Sequence, residues 1–288
     1  MSAEADDIMM CCAGCGKAAF DDIKKVESVR FCSVTCQKER RPKHKRAVEL
    51  RDELLLKQPE ISHLGDCPIC FLPTPIGPTE SARLECCSKL ICEGCNYANQ
   101  KREREQRLDP KCPFCRHPIP KSQGQVEKNR MKRVKVNDPE AIRQTGGRCY
   151  NEGDYNGAFE YFSKAAELGD MDAHFNLSVM YQKREGVAKD EKKQLHHLEE
   201  AAIGGHPDAR HNLGCDEWRN GRHERAVKHF IIAANLGYDR SLETLRGLYT
   251  KGVVRKEDYA AALRAYQAAV EATKSPQRRE AADQFSKR

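Results

Sequence analysis

Thirteen of the fifteen cysteines lie between Cys11 and Cys115, and this clustering limits what the first half of the chain can fold into. The first ten residues are acidic and lack the apolar stretch of a secretory signal, so we expect an intracellular protein, cytoplasmic or nuclear. Thiols in a reducing compartment more often bind metal than form disulfides. The cysteines therefore predict metal-stabilised segments.

Three Cys-x-x-Cys knuckles and one adjacent pair lie between residues 67 and 115. Zinc prefers four tetrahedral sulfur or nitrogen ligands, and one such knuckle supplies two of them. The segment has few large apolar residues, so it could scarcely bury a core without metal. The eight candidate ligands for two metal ions are Cys67, Cys70, Cys86, Cys87, Cys92, Cys95, Cys112 and Cys115.

This order resembles the RING finger family, whose cross-brace pairs the first knuckle with the third. The resemblance implies that one zinc is held by Cys67, Cys70, Cys92 and Cys95. The second zinc is then held by Cys86, Cys87, Cys112 and Cys115. Lys89 stands where the family often has a histidine, and the spacing before Cys92 matches the all-cysteine subtype. If only one of the adjacent pair binds, water or an outside group must complete the second site.

RING ligases have no nucleophile of their own. They dock a ubiquitin-charged conjugating enzyme and hold its thioester in a reactive pose. Ile69, Pro113 and Arg116 match contact positions of the family, and the guanidinium of Arg116 suits a role that needs several hydrogen bonds. A purely structural role remains open for Ile69, as packing of the zinc loop, and for Arg116, as a neutralising charge.

Residues 11–48 resemble the MYND finger family through the segment FCSVTCQ and His44. The resemblance implies one zinc site formed by Cys12, Cys15, Cys32 and Cys36. The middle knuckle lacks cysteine and Val48 stands in the place of the final one, so only His44 of the second site remains. We expect one zinc here and about three per chain. The alternatives are a zinc-free segment, or Cys11 in the place of Cys12.

The second half of the chain contains an internal sequence repeat. Small residues recur at steps of 32 to 36 residues, a period typical of solenoids built from helix pairs. An alanine at a helix crossing lets two backbones approach closely, and Gly169, Gly204 and Gly237 stand where a helix ends in the left-handed conformation. The two columns are Ala165-Ala166, Ala201-Ala202, Ala233-Ala234 and Ala268-Ala269, and Ala141, Ala173, Ala209 and Ser241.

These columns, over about residues 138–273, resemble the Sel-one-like (SLR) repeats, which are relatives of the tetratricopeptide repeats. The resemblance implies a concave surface for protein–protein contacts. The fold class predicted is mainly α: a right-handed α-solenoid of helix-turn-helix repeats, preceded by small zinc-stabilised α+β fingers. The predicted order is a disordered N-terminus (1–10), a MYND-like finger (11–48), a linker helix (49–66), a RING (67–120), a basic linker (121–137), four repeats (138–275) and a flexible tail (276–288).

The net charge of +7 resides in residues 1–137, since residues 138–288 sum to zero. This excess does not predict nucleic-acid binding, because each zinc bound by four thiolates carries a net charge of −2. Basic runs without interleaved aromatic residues, in fingers without a recognition helix, also argue against it. No apolar stretch approaches the ~20 residues of a membrane-spanning helix.

Two functions fit these features. The first is a ubiquitin ligase that docks a ubiquitin-conjugating enzyme on the RING and recruits its substrate through the repeats. The second is a non-enzymatic, zinc-stabilised scaffold. In both, an unidentified protein occupies the repeat surface, and the two differ only in whether a conjugating enzyme docks.

Overall fold

The computed structural model describes the backbone of residues 24–26 and 29–31, Arg46, and residues 49–77 and 79–285. The chain falls into two compact units, residues 1–57 and residues 58–288. In the first unit, β1 (Lys24–Val26) pairs with β2 (Val29–Phe31) in an antiparallel hairpin, and residues 49–56 form helix α1. The expected MYND-like ligands Cys12, Cys15, Cys32 and Cys36 lie outside the described residues.

The second unit begins with a short α+β segment and continues as helices. Strands β3 (Ser81–Leu84) and β4 (Lys89–Cys92) form a hairpin that leads directly into helix α2 (Glu93–Glu105). The remaining helices are α3 (Gln123–Lys135), α4 (Pro139–Asn151), α5 (Tyr155–Glu167), α6 (Met171–Lys183), α7 (Glu191–Ile203), α8 (Pro207–Arg219), α9 (His223–Asn235), α10 (Asp239–Thr250), α11 (Lys256–Ala272) and α12 (Pro276–Phe285).

Helices α4 to α11 form four successive pairs, which we call the repeat stack. The single small residues are buried where the helices cross: Ala141, Ala173, Ala209 and Ser241 are at most 1% exposed. The alanine pairs are buried as well, except the last, in which Ala268 is exposed and Ala269 half-buried. Larger apolar side chains fill the space between the pairs, with Phe162, Leu177 and Met180 in the first core cluster. The alanine columns thus mark the close approaches around which the stack is built.

Acidic side chains start the first four helices of the stack. Asp138, Asp154, Asp170 and Asp190 each accept a hydrogen bond from a backbone N–H in the first turn of α4, α5, α6 and α7. At a helix start these N–H groups have no partner within the helix, so the carboxylate stabilises the end. The small residues therefore account for the helix crossings, and these aspartates account for the starts of the first four helices.

One glycine assignment made from the sequence is wrong. Gly169 and Gly237 have the expected positive φ, but Gly204 has a φ of −70° and Gly205 takes the left-handed conformation, with a φ of 86°. Gly204 is constrained by space instead, since a Cβ there would lie 2.1 Å from the Met171 Sδ.

The C-terminal residues also differ from the expectation of a flexible tail. Residues 276–285 form α12, which packs against α2, so the tail prediction is wrong for the residues described. Pro276 opens this helix, where its missing N–H costs nothing. The contacts that hold α12 lie far away in sequence, and local patterns do not reveal them.

Two adjacent glycines of α4 offer a test of the packing. A Cβ at Gly146 would lie 2.9 Å from the Phe162 ring, whereas a Cβ at Gly147 meets nothing within 4 Å. We expect Gly146→Ala to lower the free energy of unfolding by about 1–3 kcal/mol through overpacking. Gly147→Ala should raise it by up to ~1 kcal/mol through helix propensity. Urea unfolding measures both, and equal effects would contradict this packing.

A buried histidine makes the stability of the stack depend on pH. His229 is fully buried and neither of its ring nitrogens has a hydrogen-bond partner among the described residues. Burial, with the nearby Arg210 and Arg225 charges, lowers the pKa of His229 to about 3. The unfolded chain therefore binds the extra proton first, and stability is lost as the pH falls below about 6.5.

We expect the contribution of His229 to reduce the free energy of unfolding by about 2 kcal/mol between pH 7.5 and pH 5. In His229→Gln this part of the pH dependence disappears, while the matched variant of the exposed His196, His196→Gln, keeps it. Urea unfolding at the two pH values gives the difference for each protein. An unchanged difference in His229→Gln would contradict the assignment.

Candidate metal centre and its surroundings

The hairpin and α2 place the cysteines of the first group. Cys92 ends β4 and caps α2, and Cys95 lies in the first turn of that helix. Cys67 and Cys70 lie on a tight turn closed by a hydrogen bond from the Phe71 N–H to the Cys67 carbonyl, 2.8 Å. The turn that carries Cys67 and Cys70 therefore lies next to the start of α2, which carries Cys92 and Cys95.

The sulfurs of Cys67, Cys70, Cys92 and Cys95 all lie within 4.8 Å of one another. The Cys70 and Cys92 sulfurs are 3.7 Å apart. The Cys92 N–H donates to the Cys67 sulfur and the Cys95 N–H donates to the Cys92 sulfur, at 3.3 and 3.4 Å. Burial raises the pKa of Cys92, and the hydrogen bond from the Cys95 N–H offsets part of that rise.

The second cysteine group consists of Cys86 and Cys87, in the turn of the hairpin, and Cys112 and Cys115, in the last knuckle. The Cys86 sulfur lies 3.3 Å from that of Cys115, and the Cys87 sulfur lies 3.9 Å from that of Cys112. In an extended strand, adjacent side chains point to opposite faces. Residues 85–88 form a turn instead, with a φ of 55° at Ser88, and this turn brings both sulfurs to the same group.

Burial, neighbouring thiols and hydrogen bonds shift the pKa values of these cysteines. Burial raises the pKa of Cys86 and of Cys95 well above the ordinary value, and neighbouring thiols raise it further. The pKa of Cys87 is raised to about 11 in the same way. Burial also raises the pKa of Cys70, but hydrogen bonds from the Leu72 backbone and the Arg278 side chain outweigh it and lower this pKa to about 7. A bound cation would relieve the repulsion between the thiolates.

The sulfurs of each group lie close enough together to share one metal ion. With a zinc–sulfur distance of ~2.3 Å, tetrahedral sulfurs lie ~3.8 Å apart. The separations of 3.7 and 3.9 Å match that distance, and 3.3 Å is somewhat shorter. Each group therefore offers four soft ligands that could hold a metal ion.

The three residues matched to the RING contact positions lie near these groups. Ile69 is 36% exposed, Arg116 is exposed with a φ of 61°, and Pro113 is half-buried. Two exposed aromatic side chains, Phe71 and Phe114, accompany them, and the spacing of the cysteines did not predict a role for either. The ammonium of Lys89, which replaces the usual histidine, lies 6.0 Å from the centre of the Phe114 ring.

A further cluster was also missed, because its members are distant in sequence. The Nε2 atoms of His63 and His206 lie 3.1 and 3.3 Å from the Asp172 Oδ1. The Ala209 N–H donates to the His206 Nδ1, so the His206 Nε2 carries the proton and donates to Asp172. The two imidazole rings are stacked, with their centres 4.3 Å apart and their planes 11° from parallel. The cluster is a docking contact between the cysteine-rich segment and the repeats, and its three ligand atoms lie close enough together that they could also hold a metal ion.

Related contacts attach the cysteine-rich segment to one edge of the repeat stack. Arg83 of β3 forms an ion pair with Glu140 in the first turn of α4. The Arg133 Nε donates to the Ser88 Oγ over 2.8 Å, and the His63 N–H donates to the Gly205 carbonyl over 3.2 Å. The segment therefore lies along the edge where the first helices of the repeats begin.

Among the residues that the structure describes, none of the helices combines the length and the apolar character needed to cross a membrane.

Comparison with known proteins identifies the helical part. The family model of the Sel1 repeat matches residues 139–170, 172–206 and 207–238, and each match covers one helix pair, α4–α5, α6–α7 or α8–α9. Over 56 residues the chain is 39% identical to "Putative beta-lactamase HcpC" of Helicobacter pylori (strain J99). That match covers 19% of each protein, so the chain spans about a fifth of this curated relative.

Two solved structures are also similar. A Sel1 repeat protein from Oxalobacter formigenes is 26% identical over 53% of this chain and 66% of its own, with a TM-score of 0.44. The protein c5321, a protective antigen of uropathogenic Escherichia coli strains displaying an SLR fold, is 22% identical over 59% of this chain and 37% of its own, with a TM-score of 0.40. The helix pairs and the matches to the family model together show that this chain carries Sel1 repeats over residues 139–238.

Proposed function

We propose that this protein is a zinc-binding RING-type ubiquitin ligase whose Sel1 repeats hold the substrate. The observation that carries the proposal is the pairing of the cysteines, with the first knuckle beside the third and the adjacent pair beside the last knuckle. This pairing matches the cross-brace of the RING family. Zinc is the metal we assign, because four thiolates in tetrahedral arrangement favour it.

The exposed residues beside the two groups support docking of a conjugating enzyme. Ile69 presents an apolar side chain from the first knuckle, and Arg116 follows the last one with its side chain in solvent. The Arg116 N–H donates to the Cys112 carbonyl over 3.0 Å, which fixes the backbone from which the guanidinium projects. Pro113, half-buried in the last knuckle, is the third contact position that the RING resemblance implies.

The surface around Ile69 and Arg116 acts by positioning the charged conjugating enzyme. An amine of the substrate attacks the ubiquitin thioester, an amide bond forms and the thiol of the conjugating enzyme leaves. The ligase contributes by holding the charged enzyme in a reactive pose while the repeats bring the substrate near. Among the described residues of the second unit, the contacts of the cysteine-rich segment given above lie along one edge of the repeat stack, which supports this role for the rest of its surface.

The alternative is a zinc-stabilised scaffold without ligase activity. The adjacent Cys86 and Cys87, and Lys89 in the place of the usual histidine, favour it because they depart from the common RING pattern. The scaffold and the ligase share the same zinc sites and repeats. They differ in the behaviour of the surface around Ile69 and Arg116.

Zinc content tests the metal part of the proposal. We expect three zinc ions per chain by native mass spectrometry: two in the cysteine-rich segment and one bound by Cys12, Cys15, Cys32 and Cys36. Cys92→Ser and Cys112→Ser should each lose one ion, because each removes a ligand from a different group. Cys149→Ser, in α4, should lose none. Unchanged zinc in both ligand variants would contradict the proposal.

Ubiquitin discharge tests the ligase. Charged conjugating enzymes are mixed with free lysine and the zinc-loaded protein, and loss of the thioester is followed over time. We expect Ile69→Ala and Arg116→Ala each to slow discharge at least ~10-fold, since each removes a contact worth about 1–2 kcal/mol. Leu195→Ala and Arg246→Ala are the matched controls, exposed residues of the repeats, and should keep the wild-type rate. No discharge with any conjugating enzyme, at full zinc occupancy, would favour the scaffold.

A further inference from the structure

We propose that Arg278, on the C-terminal helix α12, is a positioning residue for the first cysteine group and slows the loss of its zinc. The inference rests on the proposed function only in that this group binds zinc. It assigns a role to a helix that the ligase proposal does not use.

The guanidinium of Arg278 is held from two sides. Its Nη2 donates to the Cys70 sulfur over 3.4 Å and to the Leu72 carbonyl over 3.3 Å. Its Nη1 donates to the Pro73 carbonyl over 2.7 Å and to the Thr273 carbonyl over 2.6 Å. The side chain therefore joins the knuckle loop to the end of the repeat stack, and its position is set by four acceptors.

Helix α12 packs closely against α2, the helix that carries Cys95 of the first cysteine group. Gly94, in the first turn of α2, allows the two helices to touch, because a Cβ there would lie 2.8 Å from the Arg278 backbone nitrogen. Two turns further along α2, Lys101 donates to Glu280 over 2.6 Å. These two contacts fix the direction of α12 along α2 and keep Arg278 over the loop.

Charge explains why an arginine is useful there. A zinc ion with four thiolates has a net charge of −2, and a half-buried cation that donates to one thiolate offsets part of it. The second group differs, because among the described residues no arginine hydrogen-bonds the sulfurs of Cys86, Cys87, Cys112 or Cys115. It therefore serves as an internal control.

The experiment uses the full-length, zinc-loaded protein. Zinc release to an excess of the chromogenic chelator 4-(2-pyridylazo)resorcinol is followed in the wild type, Arg278→Gln and Arg279→Gln. Arg279 is the neighbouring arginine on α12 and is exposed, so its variant is the matched control. Alkylation of individual cysteines, read by mass spectrometry, shows which group has opened.

We expect Arg278→Gln to speed zinc release from the first group by about 10- to 100-fold, the range for losing an outer-shell partner of a metal ligand. Alkylation should then rise at Cys67 and Cys70 but not at Cys112 and Cys115. Arg279→Gln should behave like the wild type. Arg278→Lys keeps the charge but not the forked geometry, so its release rate should lie between those of the wild type and Arg278→Gln.

Release at the wild-type rate from both Arg278→Gln and Arg278→Lys would overturn the inference, and so would equal acceleration from both groups. In either case a wild-type content of three zinc ions leaves the proposed function standing. A wild-type protein without zinc in the first group would overturn both. Circular dichroism of each variant separates loss of α12 from loss of the contact, and Arg278→Lys carries the test where Arg278→Gln disturbs the helix.

Discussion

The fold of the cysteine-rich segment depends on sulfur rather than on hydrocarbon. Its buried cluster contains Cys67, Cys92 and Cys95, and Ile91 is the only fully buried aliphatic side chain in it. Such a cluster removes little apolar surface from water, so the thiols must be held together in another way. A shared cation would do this, and it would fix the positions of the hairpin, α2 and the first knuckle relative to one another.

The repeat stack depends on the opposite principle. Alanine and serine at the crossings bring helices close, and aromatic and aliphatic side chains fill the intervals. Each pair of helices buries its faces against its neighbours, which makes stability a property of successive interfaces. The cysteine-rich segment and the repeat stack thus obtain order from different sources, and an ion pair and a hydrogen bond at the edge of the stack connect them.

The sequence could predict what repeats or follows a fixed spacing. The alanine columns predicted the helix pairs, and the RING resemblance implied the grouping of the eight cysteines that the structure brings together. His63 and Asp172 are 109 residues apart, and Arg278 and Cys70 are 208 apart; no local pattern marks such partners. The left-handed glycine at the end of α7 was misplaced by one residue, because Gly204 and Gly205 are adjacent and the sequence alone does not show which of them takes the positive φ.

The contact between Arg278 and Cys70 has a consequence during synthesis. The knuckles leave the ribosome early, but the helix that closes over the first group is made 208 residues after Cys70. At about 5–20 residues per second, this delay is on the order of 10–40 s. The nascent chain therefore presents the thiols of the first cysteine group to the cell before their cover exists, so that binding of a metal by this group would be separated in time from its closure.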